Sequence, residues 1–150
     1  MADQPTAENQ GGFVTELRVR FRDLDARGHV NNAVYLTFFE TARMMMWAEM
    51  TGSIALQGHE MIVAEITCTY KSPALFNEIL EIHVSPVAIR RSSFILRYRI
   101  VEQQSQRLIV TGRSAQVAFD YAENRSVPVW PELRAGLERM AGRELGPDEG

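Results

Sequence analysis

A single cysteine, Cys68, leaves no disulfide possible within the 150-residue chain, which fits a reducing cytoplasm. The three histidines, His29, His59 and His83, are scattered, and no pair has metal-ligand spacing, so no bound metal is expected. There is no run of about eighteen continuous apolar residues, so no membrane-spanning helix is expected. The opening MADQPTAENQGG has neither a basic start nor an apolar run and does not read as a secretory signal. Neither sign of charge dominates: 16 basic and 19 acidic residues give a formal net charge of -3, with no basic footprint for nucleic acid. Internal repeats and low-complexity tracts are also missing.

What remains is the composition of one globular domain. At 45% hydrophobic residues, a chain of this size can bury roughly 70% of the surface its unfolded form exposes. The polar ends suggest a flexible arm over residues 1–12 and a frayed tail over 143–150, with the domain between them at 13–142.

Alternation in FVTELRVRFRD predicts a strand from Phe13 to Asp23, with Leu17, Val19 and Phe21 inward and Arg18, Arg20 and Arg22 outward. After the loop DARGHV, Asn31 or Asn32 is placed to cap a helix that Gly52 would close. Between Ala33 and Met50 only Thr37, Glu40, Thr41, Arg43 and Glu49 are polar. A helix this apolar must be buried on most sides. Four further strands are expected at Glu60–Tyr70, Glu78–Ala88, Ser92–Val101 and Arg107–Tyr121, the last three joined by short hairpin connectors. Pro131–Gly142 reads as a small amphipathic helix. The expected class is α+β: a curved antiparallel sheet of about five strands wrapped round one long buried helix, the hotdog fold. Its open edge invites pairing with a second copy, hence a homodimer.

The stretch DLDARGHVNN, Asp23 to Asn32, crowds carboxylates, a glycine, a histidine and two asparagines against the start of that helix. A turn-and-cap reading explains part of this, since Asp before glycine is common in turns. The longer stretch RFRDLDARGHVNNAVYLTFFETAR resembles the signature of the 4-hydroxybenzoyl-CoA thioesterase family of hotdog proteins. Asp25, Gly28, Asn32 and Tyr35 match its pattern, and the HVNN form resembles the fatty-acyl branch.

The resemblance implies a hydrolase that cleaves an acyl thioester, usually acyl-CoA, without a cofactor, CoA being part of the substrate. It also implies a dimer or a dimer of dimers, with sites at the subunit interface. The family aspartate carries over onto Asp25, which either attacks the thioester directly or activates a water. The N–H that polarises the carbonyl carries over onto Asn32, at a helix start where unpaired amides and the dipole favour an oxyanion. His29 can donate to the thioester, help hold Asp25 or simply pack in the loop. Gly28 supplies a backbone angle or a close approach. Tyr35 belongs to the same motif and is counted with the substrate contacts. Asp23 is read as a hydrogen-bond acceptor at the strand end. Glu40 is a reserve carboxylate; it and Arg43, three residues on, are expected to pair with each other or with partners across the dimer.

Phosphates of CoA call for donors at a rim, and Arg90, Arg91, Ser92 and Ser93 supply them at a hairpin turn, with Lys71 and Ser72 as weaker candidates. The run Met44–Met46 with Trp47 packs the core or lines an adaptable acyl pocket. Three other readings stay open: a non-catalytic acyl-CoA or acyl-carrier binding module, a hydratase or dehydratase of enoyl or hydroxyacyl thioesters, and a purely structural dimer.

Overall fold

The protein is described here by a computed structural model over residues 11–53 and 60–149. His59 and most of the expected N-terminal arm lie outside these residues.

Alternation holds through β1 (Phe13–Arg18) but stops short of the expected end. The Asp23 carboxylate accepts hydrogen bonds from the Arg20 N–H at 2.8 Å and its guanidinium Nη2 at 2.9 Å. These bonds fold Phe21–Asp23 into a single 3-10 turn. Val19 is buried as expected, but Phe21 is thrown outward, 79% exposed, and meets Phe76 edge-on. Its expected inward orientation is therefore corrected: alternation ends where the carboxylate bends the chain.

The long helix α1 spans Val34–Thr51 and ends at Gly52, whose φ of 78° closes it in the left-handed region. Its buried side chains are Tyr35, Phe38, Phe39, Ala42, Met46 and Trp47. Burial on most faces is not reached within one chain: Leu36 and Met45 stay 36% and 47% exposed, beside exposed Thr37, Glu40 and Thr41. The sheet covers one side of the helix and leaves the other open.

That sheet contains β1, β2 (Glu60–Tyr70), β3 (Ile79–Ile89), β4 (Ser93–Glu102) and β5 (Leu108–Asp120). All neighbours are antiparallel, in the order β1-β3-β4-β5-β2, with a short β6 (Arg125–Ser126) beside β5. The four later strands expected from the sequence are present to within a residue or two at their ends. Leu80, Ile82 and Val84 of β3 and Phe94, Leu96, Tyr98 and Ile100 of β4 belong to the core that packs α1. Register shifts at Ala64 of β2, Val87 of β3 and Ile109 of β5 supply the bulges that bend strands.

On β5, a Cβ at Gly112 would lie 2.5 Å from the Phe39 ring, so glycine is what lets the helix approach the sheet there. Ring stacking of Phe39 on Tyr98, with centroids 4.3 Å apart, completes that contact.

Pro131 opens α2 (Pro131–Ala141), which buries Leu133 and Leu137. It meets the end of α1, where the Arg139 guanidinium donates to the Met50 carbonyl at 3.1 Å. The segment after Arg143, expected to be frayed, makes contacts a frayed end would not make. Leu145 is buried, the Ile89 N–H donates to the Gly146 carbonyl at 2.9 Å, and Glu149 pairs with Arg113 at 2.7 Å. One apolar residue, one backbone hydrogen bond and one ion pair dock the polar tail, signals that composition averages away.

Candidate active site

Asp25 opens a tight turn between Leu24 and Val30, which bridge across its base. Its carbonyl accepts from the Gly28 N–H at 3.1 Å, and its N–H donates to the His29 carbonyl at 2.7 Å. Gly28 sits at φ 79°, the left-handed position such a turn requires. A Cβ there would meet nothing within 4 Å, so the backbone angle, not crowding, calls for glycine.

The side chain of Asp25 takes part in the turn through one oxygen. Oδ1 accepts from the Arg27 N–H at 2.8 Å and the His29 N–H at 3.2 Å. Oδ2 has no partner among the described residues. The Arg27 N–H, working against desolvation and aided by the His29 N–H, holds the carboxyl below its ordinary pKa. Asp25 is thus an oriented anion with one oxygen uncommitted, satisfying the turn reading without being used up by it.

Asp23, two residues earlier, is buried. Burial pushes its pKa up, but the hydrogen bonds and charge of Arg20 win, and the carboxyl is held low. It is a structural acceptor, as expected, and the Asn31 N–H also donates to its carbonyl at 2.9 Å.

The approach to α1 differs from the expected cap. Ala33 occupies the N-cap position and no side chain caps the regular helix. Asn31 instead closes the turn leading in: its Oδ1 accepts from the Ala33 N–H at 2.9 Å, and its carbonyl from the Val34 N–H at 2.9 Å. These bonds occupy the two amides that follow Asn32, and the Asn31 N–H before it is taken by Asp23, while the Asn32 N–H has no partner among the described residues. Asn32 is exposed, so that amide is free to bind.

One open cleft of about 400 Å³ is lined by Asp25, Arg27, His29, Asn32 and Tyr35 together with Tyr70, Lys71 and Ser72. Here the structure brings together the motif residues picked from the sequence. Their roles differ. Tyr35 is buried, its pKa raised by that burial, and its hydroxyl accepts from the Ala74 N–H at 3.2 Å, so it forms the packed floor. Tyr70, which sequence reasoning missed, donates its hydroxyl to the Asn32 carbonyl at 2.9 Å and thereby holds the peptide next to the free amide. No local pattern marks it, since an aromatic at a strand end is common. Ser72 is spent on the Leu108 carbonyl at 2.7 Å. Lys71 and Arg27 are the cations at this rim.

Arg90, Arg91, Ser92 and Ser93 are not at this cleft within one chain. Tyr70 pairs with Val110, whereas Ser93 pairs with Val117, seven residues or about 23 Å further along β5. Arg90 also donates to the Pro147 carbonyl at 3.2 Å. Of the two expectations for Glu40 and Arg43, the pair with each other is not formed within one chain: Arg43 reaches inward and donates to the Tyr98 hydroxyl at 3.2 Å. Among the described residues, no three His, Cys, Asp or Glu side chains cluster as a metal site, and no helix is long and apolar enough to cross a membrane.

A five-stranded antiparallel sheet on one long helix, with a carboxylate turn and a free amide at the helix entrance, defines a hotdog protein of the thioesterase type. The model of the thioesterase-like superfamily matches residues 19–137, and the chain belongs to that superfamily. It is 30% identical over 131 residues to the long-chain acyl-CoA thioesterase FadM of Escherichia coli strain K12, covering 84% of this chain and 97% of that one. It is 32% identical over 96 residues to the acyl-CoA thioester hydrolase YbgC of Escherichia coli O6:H1, covering 62% and 72%. Among solved structures, a thioesterase from Thermus thermophilus, complexed with coenzyme A and Zn, superposes with a TM-score of 0.81 at 28% identity, covering 92% and 99%.

Proposed function

We propose that this protein hydrolyses an acyl-CoA thioester to the free acid and CoA, with Asp25 and the Asn32 N–H acting on one carbonyl group. The observation that carries the reading is that an oriented carboxylate and an unpaired helix-entrance amide line one cleft. The amide and the dipole behind it stabilise the oxyanion as the carbonyl is attacked. The low basicity of Asp25 suits a nucleophile better than a proton acceptor. Its free oxygen attacks the carbonyl carbon, the C–S bond breaks and CoA leaves as thiolate. Water then cleaves the resulting mixed anhydride and restores the carboxylate. Fatty acyl groups are the first substrate class to test, given the relative named for long-chain acyl-CoA.

Two copies complete the site in this reading. Among the described residues β2 is an unpaired edge, with Val63, Ala64, Glu65, Thr67, Thr69 and Tyr70 exposed. Antiparallel pairing of two β2 edges about a two-fold sets the start of one strand against the end of the other. The basic turn at Arg90–Ser93 lies at the start, across Val117 from Ile62, and the Asp25 cleft at the end. Each cleft then receives the partner copy's basic turn as a rim for the CoA phosphates, with its own Arg27 and Lys71. A dimer or a dimer of dimers satisfies this, in the reducing cytoplasm that a lone cysteine suits.

The test is thiol release over a panel of acyl-CoAs by the native chain and by Asp25→Asn. The asparagine keeps an oxygen for the Arg27 and His29 amides but lacks the charge. It is expected to fold, bind and lose at least about a hundredfold in kcat. Equal turnover by the two proteins removes Asp25 from the mechanism, and binding without hydrolysis by the native chain favours a binding module.

A further inference from the structure

Tyr70 is the last residue of β2 and is 47% exposed, yet its hydroxyl is committed. It donates to the Asn32 carbonyl at 2.9 Å, across 38 positions of sequence. The strand aims it there. Cys68 and Tyr70 pair with Gly112 and Val110, which face Phe39 and the core, so both side chains point to the inner side of the sheet. The ring of buried Tyr35 lies 5.6 Å from the Tyr70 ring and backs it at the floor of the cleft. Desolvation, then the Cys68 thiol, raises the pKa of Tyr70, so the hydroxyl stays a donor through the neutral range.

A hydrogen bond at an exposed rim adds little to the fold, because water competes for both of its groups. Its place beside the free amide is what gives this one an effect. Two bonds shape the turn from within: the Val34 N–H on the Asn31 carbonyl, and the Ala33 N–H on Asn31 Oδ1. They set the form of the turn but not where it stands. Before the Asn32 amide, the Val30 N–H donates to the Ala74 carbonyl at 3.0 Å and the Asn31 N–H to the Asp23 carbonyl at 2.9 Å. After it, Tyr70 ties the chain to the sheet. Asn32 and Ala33 are both exposed, and without the tyrosine the peptide between them keeps, among the described residues, the local bond of the Ala33 N–H alone.

We infer that Tyr70 is a positioning residue: by holding the Asn32 carbonyl, its hydroxyl keeps the Asn32 N–H aimed at the thioester carbonyl that Asp25 attacks. The inference rests on the thioesterase reading above and names the side chain that fixes its oxyanion donor. Such a donor acts through preorganised geometry, so a small swing of the turn weakens it while leaving substrate binding in place.

The test compares the native full-length protein with Tyr70→Phe, which keeps the ring against Tyr35 and removes the donor. With the acyl-CoA that the native chain turns over fastest, kcat for thiol release is expected to fall about threefold to tenfold, at unchanged KM and nearly native Tm. The same exchange made in Asn32→Pro, which has no N–H to aim but keeps the carbonyl, is expected to change kcat by less than about twofold. A readout independent of turnover is 15N relaxation of the Asn32 amide. Its order parameter is expected to fall from about 0.85 in the native protein toward 0.6 in Tyr70→Phe.

A native kcat in Tyr70→Phe, a rise in KM alone, or a loss of equal size in the Asn32→Pro background overturns the positioning role and leaves the hydrolase reading standing. An unchanged Asn32 order parameter overturns it whatever the rates. No thiol release from any acyl-CoA by the native protein overturns the hydrolase reading instead, and the relaxation measurement then decides by itself whether Tyr70 holds the amide.

Discussion

Deleting a single main-chain hydrogen tests the role of the Asn32 amide without disturbing its surroundings. Asn31 to Val34 form a turn closed by the Val34 N–H on the Asn31 carbonyl, with the Asn31 side chain bonding the Ala33 N–H. Asn32 therefore occupies the second position of the turn, just before the N-cap Ala33, a turn position that favours proline. Its carbonyl, which accepts from Tyr70, survives the exchange to proline. Its side chain has no partner among the described residues, so alanine is the silent control that keeps the N–H. Loss of one oxyanion donor costs about 10²–10³ in kcat, or roughly 2.7–4 kcal/mol of transition-state stabilisation. Steady-state thiol release should therefore show Asn32→Ala within a few-fold of the native rate and Asn32→Pro down by at least about a hundredfold, both with nearly native melting. Equal rates for the proline and alanine variants at unchanged Tm would refute the reasoning, because the N–H would then have no part in the reaction.

Other perturbations probe the frame around the site. Gly112→Ala places a methyl 2.5 Å from a Phe39 ring that is fully buried and stacked on Tyr98. Overpacking of this kind costs about 1–3 kcal/mol, so calorimetry should show Tm lower by roughly 3–10 °C. Asp23 has its pKa lowered on folding, so its contribution to stability is full above the ordinary carboxylate value of about 3.9 and fades as pH falls through the lower folded value. In a series of Tm against pH, Asp23→Asn should start lower at neutral pH and lack the part of the acid decline that this carboxylate causes. Sedimentation equilibrium should return 34 kDa or a multiple of it, twice the 17.0 kDa chain mass; a fully active 17.0 kDa species would contradict the shared site.

The residues legible from sequence were those whose signal is local. Period-two alternation placed Leu17 and Val19 toward the core, and Gly52 ended its helix in the left-handed conformation its position suggested. Asp25, Gly28 and Asn32 came together because one turn and one helix entrance are built from a single short segment. What was misread depends on contacts distant along the chain or on bonds that override a pattern. Phe21 left its face because the Asp23 carboxylate bent the strand, and Tyr70 joined the site through a bond to a residue 38 positions away. Arg43 turned from Glu40 to Tyr98 because the buried hydroxyl chain offers an acceptor that helix spacing does not reveal. The open face of α1 followed from a sheet that covers one side of the helix, whereas apolar content alone reports only how much must eventually be covered.

The most direct measurement is a crystal structure of the protein with a non-hydrolysable acyl-CoA analogue. The carbonyl oxygen should lie about 2.9 Å from the Asn32 nitrogen, with an Asp25 oxygen facing the carbonyl carbon. A carbonyl bound away from both Asp25 and the Asn32 amide would contradict the account.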